Sequence, residues 1–175
     1  MTDKIAMLKA SIRDVPDFPK PGILFKDITT LLNDAGYLRD AVQLMANQVN
    51  DVEIDGIAAI ESRGFIFGSA MALEMNKGLI LIRKPGKLPS KTVSEKYELE
   101  YGYDSIEIHE DAVNSGDRIL IVDDLLATGG TALASVKLIE KLGGVVSGLS
   151  FLIELEFLQG REKFADYPLF SLISY

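Results

Sequence analysis

The sequence predicts an α/β fold, a parallel-rich twisted sheet of about five core strands flanked by helices, and two observations carry that expectation. Apolar runs beginning near Gly56, Leu79, Ile119, Val145 and Leu169 are short, rich in branched residues and without strict alternation, as strands buried on both faces require. Most of them are separated by stretches with helical apolar spacing, the order that β-α-β units produce. At 175 residues and 47% hydrophobic composition, the chain suits a single domain over residues 1–175.

The elements follow in order. A first helix is expected after Thr2 or Asp3, with Ile5, Leu8 and Ile12 as its buried stripe. Pro16, Pro19 and Pro21-Gly22 then break regular structure and give a stiff connection carrying Phe18 and Phe25. Asn33 or Asp34 can cap a helix running towards Gln48, and Tyr37, Leu38, Ala41, Val42, Met45 and Val49 supply one apolar face. The strand Asp55–Ile60 ends in Glu61-Ser62-Arg63-Gly64-Phe65, a polar turn that opens a helix through about Met75. A helix start of that kind is ready for an anion. Gly78–Ile82 is the next buried strand, and it delivers Arg83, Lys84 and Lys87 on one loop.

From Ser90 the character changes to polar, charged and aromatic, and Ser105–Ile108 alternates strictly, so a hairpin is expected here, mobile at its tip. His109 just after it reads as a surface residue. Ile119–Val122 forms a strand with Asp123 and Asp124 at its carboxyl end, where open α/β sheets place ligands. Ala127-Thr128-Gly129-Gly130-Thr131 follows, a loop of small residues whose glycines can take positive φ and let N–H groups converge on an anion. A helix capped by Thr131 or Thr128 then runs to Gly143-Gly144. Val145–Leu155 and Leu169–Ile173 are the last strands, with Gly160–Lys163 a loop or short helical turn between them.

Composition excludes several functions. The chain has no cysteine and one histidine, which removes disulfides, thiolate catalysis and cysteine-ligated metals, so any metal is a hard ion held by oxygens. A net charge of −8 argues against nonspecific nucleic-acid binding. No apolar run reaches the length of about 18 residues that a membrane helix needs, and the start lacks an export signal, so a cytoplasmic protein is expected. Against the acidic total, Met75–Ser94 holds Lys77, Arg83, Lys84, Lys87 and Lys91 and no acid, a local field suited to a polyanion or a solvated basic loop.

The stretch I-L-I-V-D-D-L-L-A-T-G-G-T, Ile119–Thr131, closely resembles the phosphoribosyl-pyrophosphate (PRPP) motif of type I phosphoribosyltransferases. The resemblance implies that Asp123 and Asp124 hold the ribose hydroxyls and that Ala127, Thr128, Gly129, Gly130 and Thr131 wrap the 5′-phosphate. E-S-R-G-F-x-F-G is similar to the family's pyrophosphate loop, usually with a non-proline cis peptide, which assigns Ser62 and Arg63 to pyrophosphate and Arg63 also to the base. Arg83, Lys84 and Lys87 would neutralise the pyrophosphate, Arg83 and Lys84 with a catalytic part. P-D-F-P-x-P-G before I-L-F-K-D-I resembles the hood of the adenine-specific members, over about residues 16–30, with Leu24, Phe25 and Lys26 at the base-contact positions. Lys26 departs from the arginine common there, which puts any bidentate contact in doubt. Glu100-Tyr101-Gly102 matches the flexible lid, about residues 88–108, and gives Glu100 and Tyr101 catalytic roles over the reacting centre.

The implied reaction joins adenine to PRPP, giving AMP and pyrophosphate, with Mg²⁺ bound mainly through ligand and water and no protein metal site. The implied assembly is a homodimer, with no nucleic-acid or membrane partner. Two alternatives share the phosphate loop: an enzyme for another nucleobase, and a non-catalytic PRPP-binding regulator.

Overall fold

The computed structural model describes residues 2–98 and 102–175. The chain divides into two compact units, Met1–Leu44 and Met45–Tyr175.

In the first unit, α1 (Thr2–Ser11) is followed by β1 (Arg13–Pro16) and β2 (Leu24–Asp27), then α2 (Thr29–Leu32) and the start of α3 (Ala35–Gln48). Leu8 and Ile12 are buried as their spacing predicts, and Ile5 is half-buried. The proline-rich segment is more regular than the sequence suggests. β1 and β2 pair antiparallel from Arg13↔Asp27 to Pro16↔Leu24, and the prolines occupy the end and the connection of that hairpin. Pro16 is tolerated because the ladder there is an edge. Arg13 Nε donates to Asp27 Oδ2 at 3.1 Å and holds that carboxyl down at about 2, with help from the Thr29 N–H and hydroxyl. Asp34 Oδ1 accepts from the N–H groups of Gly36 and Tyr37 at 2.8 and 2.9 Å, which caps α3 as expected.

The second unit contains β3 (Gly56–Ile60), α4 (Gly64–Glu74), β4 (Gly78–Ile82), β5 (Thr92–Glu98), β6 (Tyr103–His109), β7 (Arg118–Leu126), α5 (Gly130–Lys141), β8 (Val145–Glu154) and β9 (Leu169–Ser174). Two short 3₁₀ turns, Glu156–Leu158 and Gly160–Phe164, join β8 to β9. The five-stranded sheet has the order β4-β3-β7-β8-β9, and every neighbouring pair is parallel. Side chains alternate across it. Ala58, Ile60, Ile119 and Ile121 join the core formed with Val136 and Ile139 of α5 and Ile106 and Ile108 of β6. On the other face α4 lies so close to β3 that a Cβ on Gly68 would stand 2.5 Å from the Ala59 Cβ. β5 and β6 form the expected hairpin, tied to the end of β4 by a bridge between Arg83 and Glu107.

The strand order has one reversal. From β3 the chain moves outward to β4, whereas from β7 it moves the other way through β8 to β9. The carboxyl ends of β3 and β7 therefore flank a topological switch point, where such sheets open a crevice for ligands.

Candidate active site

β7 is longer than the apolar run predicts, because it continues through the acid pair to Leu126. Its pairing with β3 stops at Val122, while Asp123, Leu125 and Leu126 stay paired to Phe151, Ile153 and Glu154 of β8. One edge of β7 is thus released beside the turn that leaves β3, and the two aspartates sit on that stretch. Asp124 is buried at 6% exposure and Asp123 partly exposed. The Asp124 N–H donates to Asp123 Oδ1 at 2.8 Å, and Arg63 Nε pairs with Asp124 Oδ2 at 2.6 Å. Burial pushes both carboxyls above their ordinary value of 3.8. Asp123 is raised further by the neighbouring charge of Asp124, and the Arg63 guanidinium opposes the rise on each. Gly64, the first residue of α4, makes this closeness feasible: a Cβ there would lie 2.6 Å from Asp123 Oδ1 and 3.0 Å from the Val122 carbonyl.

The loop Ala127–Thr131 leads into α5, and here the capping expectation is corrected. The cap position is Gly129, at φ 79°, and no side chain caps the helix, so neither Thr128 nor Thr131 fills that role. A left-handed residue at this position excludes the hydroxyl from the geometry a threonine cap needs. The first N–H groups of α5 are left without a side-chain acceptor, which together with the helix dipole favours an anion there.

The cations are organised by a residue whose role the sequence did not disclose. Glu61, its side chain 8% exposed, accepts from Arg83 Nε at 3.1 Å and the Lys84 N–H at 2.9 Å, and pairs with Lys87 Nζ. Burial alone would raise the Glu61 carboxyl, but the Lys87 and Lys84 hydrogen bonds and the Lys87 and Arg83 charges outweigh it and its pKa falls. Lys84 Nζ reaches the hairpin instead, where it donates to Tyr97 Oη at 2.7 Å and pairs with Asp104. Desolvation disfavours its charge, yet those two partners raise its pKa. The Glu61–Ser62 peptide is cis.

A cleft of about 310 Å³ collects Ser62, Arg63, Lys84, Asp123, Asp124 and Thr131 along its wall. Arg83 and Lys87 join the same corner through Glu61. In the first unit, Phe25 meets the Phe18 ring edge-on at 5.1 Å and both line an apolar cleft of about 280 Å³; Leu24 is half-exposed and Lys26 donates to Asp14 at 2.6 Å. Glu100 and Tyr101 lie outside the described residues. His109 accepts from the Ser90 N–H at 3.3 Å, a local contact consistent with a structural part. A larger cleft, about 500 Å³, sits at the opposite ends of β3 and β7, where Arg118 is already gripped by Asp55 in two bonds of 2.9 Å.

Residues 28–161 match the phosphoribosyl transferase domain. The adenine phosphoribosyltransferase of Halothermothrix orenii is 57% identical over 166 residues, 95% of this chain and 98% of that protein. The chain belongs to the adenine phosphoribosyltransferase family. Its counterpart from Acidobacterium capsulatum is 55% identical over 96% of this chain and 93% of its own. Among solved structures, the family member from Thermoanaerobacter pseudethanolicus superposes with a TM-score of 0.96 at 52% identity, covering 98% of this chain and 99% of that one. The Saccharomyces cerevisiae member, solved with adenine and an imino-altritol bisphosphate, gives 0.91 at 39% identity over 98% and 99%. The protein is therefore a phosphoribosyltransferase, a transferase enzyme on the type I fold, as the five parallel strands and paired motifs predict.

Proposed function

We propose that this enzyme transfers the 5-phosphoribosyl group of PRPP to adenine, giving AMP and pyrophosphate. The observation that carries the proposal is the switch-point crevice, where an uncapped helix start, an acid pair and a set of cations occupy successive strand ends. In this reading the N–H groups of the 127–131 loop take the 5′-phosphate, and Asp123 and Asp124 accept from the ribose hydroxyls. Ser62, Arg63, Arg83, Lys84 and Lys87 receive the pyrophosphate.

Cleavage of the anomeric C–O bond leaves positive charge on the ribose and drives negative charge onto the departing pyrophosphate. Cations already fixed at the leaving group stabilise that change most. Glu61 fixes two of them, since its carboxylate pairs with Arg83 and Lys87 and also takes the Lys84 N–H, while the Lys84 ammonium is held by Tyr97 and Asp104. The base attacks through N9 and loses its proton; Glu100 is assigned as its acceptor, and Tyr101 as part of a lid that keeps water from the cationic centre. Leu24, Phe25, Lys26 and Arg63 are assigned to adenine, Phe25 by stacking.

Magnesium enters this reading through substrate oxygens and water. Among the described residues no group of three acidic or histidine side chains is placed to ligate a metal, while Asp123, on the wall of the cleft, supplies an oxygen donor suited to an outer contact. When bound, the ion would neutralise pyrophosphate charge. We place the reaction in the cytoplasm, in keeping with a chain that has no cysteine, and the active form as a homodimer. Support for the dimer comes from the edge strand β4, where Leu79 and Leu81 are 39% and 38% exposed beside the exposed Ile66 and Leu73 of α4.

The deciding experiment incubates the folded protein with PRPP, Mg²⁺ and each nucleobase in turn, with chromatography of the products. AMP and pyrophosphate from adenine are expected. Nucleotide from another base instead would reassign the substrate, and PRPP binding without turnover would make the protein a regulator.

A further inference from the structure

The outer side of the 127–131 loop is held by a segment that carries none of the roles assigned above. Lys163, in the 3₁₀ turn Gly160–Phe164, donates from Nζ to the Thr128 carbonyl at 2.6 Å. Gly160 of the same turn presses on the loop so closely that a Cβ there would stand 2.1 Å from the Ala127 carbonyl oxygen and 3.2 Å from the Gly129 nitrogen. From the other side, a Cβ on Gly129 would lie 2.9 Å from the Gly160 carbonyl and 3.0 Å from the buried Phe164 ring. The turn is anchored in its own right. Glu154, 3% exposed at the end of β8, accepts from Arg161 Nε at 2.8 Å and Ser171 Oγ at 2.6 Å.

A trans peptide is planar, with its carbonyl and N–H pointing opposite ways. The carbonyl of Thr128 and the N–H of Gly129 belong to one such plane, so whatever holds the first aims the second. Glycine at φ 79° resists rotation of that plane only weakly, because it populates either hand. An external hydrogen bond therefore selects the orientation, and the ammonium of Lys163 is placed to do so.

We propose that Lys163 is a positioning residue for 5′-phosphate recognition, acting through the Thr128–Gly129 peptide. Its ligand class is a ribose carrying a 5′-phosphate monoester. The inference rests on the reading of 127–131 as the phosphate cradle. Because that phosphate is bound alike before and after bond breaking, the loss should appear in binding and not in turnover.

The test compares Lys163→Met and Lys163→Arg with the unaltered enzyme, using calorimetric affinity for AMP and for adenine and steady-state constants for PRPP. The side chain is exposed, so folding is not at stake. For Lys163→Met the expected outcome is a rise of about tenfold in the AMP Kd and the PRPP KM, the scale of a lost charged hydrogen bond. Adenine affinity and kcat should change less than about twofold, and Lys163→Arg should recover most of the loss. Unchanged AMP affinity in Lys163→Met overturns the proposal, as does an equal loss for adenine. Should the unaltered protein bind adenine but not AMP, the cradle reading itself fails, and that result is visible before any variant is measured.

Discussion

Replacing Glu61 by glutamine tests whether one buried carboxylate organises the cationic corner. Glutamine keeps the shape and an acceptor for the Lys84 N–H, but removes the charge that faces Arg83 and Lys87. Breaking a buried ion pair costs about 3–5 kcal/mol, whereas an exposed pair is worth about 0.2–1 kcal/mol. Glu61 is 8% exposed while its partners are 30% and 49% exposed, so solvent takes up much of the penalty. We expect a loss of about 2 kcal/mol at pH 7, or roughly 4–8 °C in Tm for a chain of this size. The pH dependence has a definite sign. The folded Glu61 carboxyl titrates below its ordinary value of 4.5, so its stabilisation is present above that pH and is lost as pH falls through the folded value. Thermal scans of both proteins from pH 7 to 3 would show the Tm gap closing at the acid end. A gap under about 1 °C at pH 7, or one that stays constant on acidification, would refute the reasoning.

Asp123→Asn should move stability and function in opposite directions. Removing a carboxyl whose pKa is raised by burial and by Asp124 relieves a cost present above the ordinary 3.8, so unfolding at pH 7 should become harder by about 1 kcal/mol while PRPP use collapses. Destabilisation in urea titration, or equal weakening of adenine binding, would make Asp123 structural. Gly64→Ala forces a Cβ to within 2.6 Å of Asp123 Oδ1, and displacement of that carboxylate should lower kcat/KM for PRPP by about a hundredfold; full activity would show that the site tolerates the shift. Leu81→Glu places a charge on the exposed edge strand, and sedimentation analysis should find monomers in place of dimers. A dimer that survives, or an unaltered protein that is already monomeric, would remove β4 from the interface.

The sequence is most legible where neighbouring residues decide the outcome. I-L-I-V before Asp123 reads as a buried strand because each of those side chains is apolar, and β7 is flanked by β3 and β8 as that requires. Asp34 reads as a cap because the N–H donors it accepts from lie two and three residues on. Features set by partners far along the chain are the ones sequence reasoning misses. β7 continues past its acids because β8 offers Ile153 and Glu154 to pair with Leu125 and Leu126, a fact absent from the run itself. Glu61 stands inside a motif whose local signals are Ser62 and Arg63, and its own partners come from a loop more than twenty residues later. Pro16 reads as a breaker, yet it ends a strand because Leu24 folds back across it. Gly160 gives no local signal beyond a turn; its value is the space it leaves for Ala127.

The helix start at Gly129, left without a side-chain cap, links ligand concentration to folding. A protein usually satisfies such N–H groups from its own sequence, and here the donors are reserved for a visitor. In the proposed reading a bound 5′-phosphate completes the helix, and it does so only in the native state. Mass action then makes the nucleotide a component of the fold: at a hundred times its Kd it adds about 2.7 kcal/mol to the unfolding free energy. The resistance of this enzyme to heat and proteolysis in a cell would accordingly track its supply of substrate and product as well as its sequence.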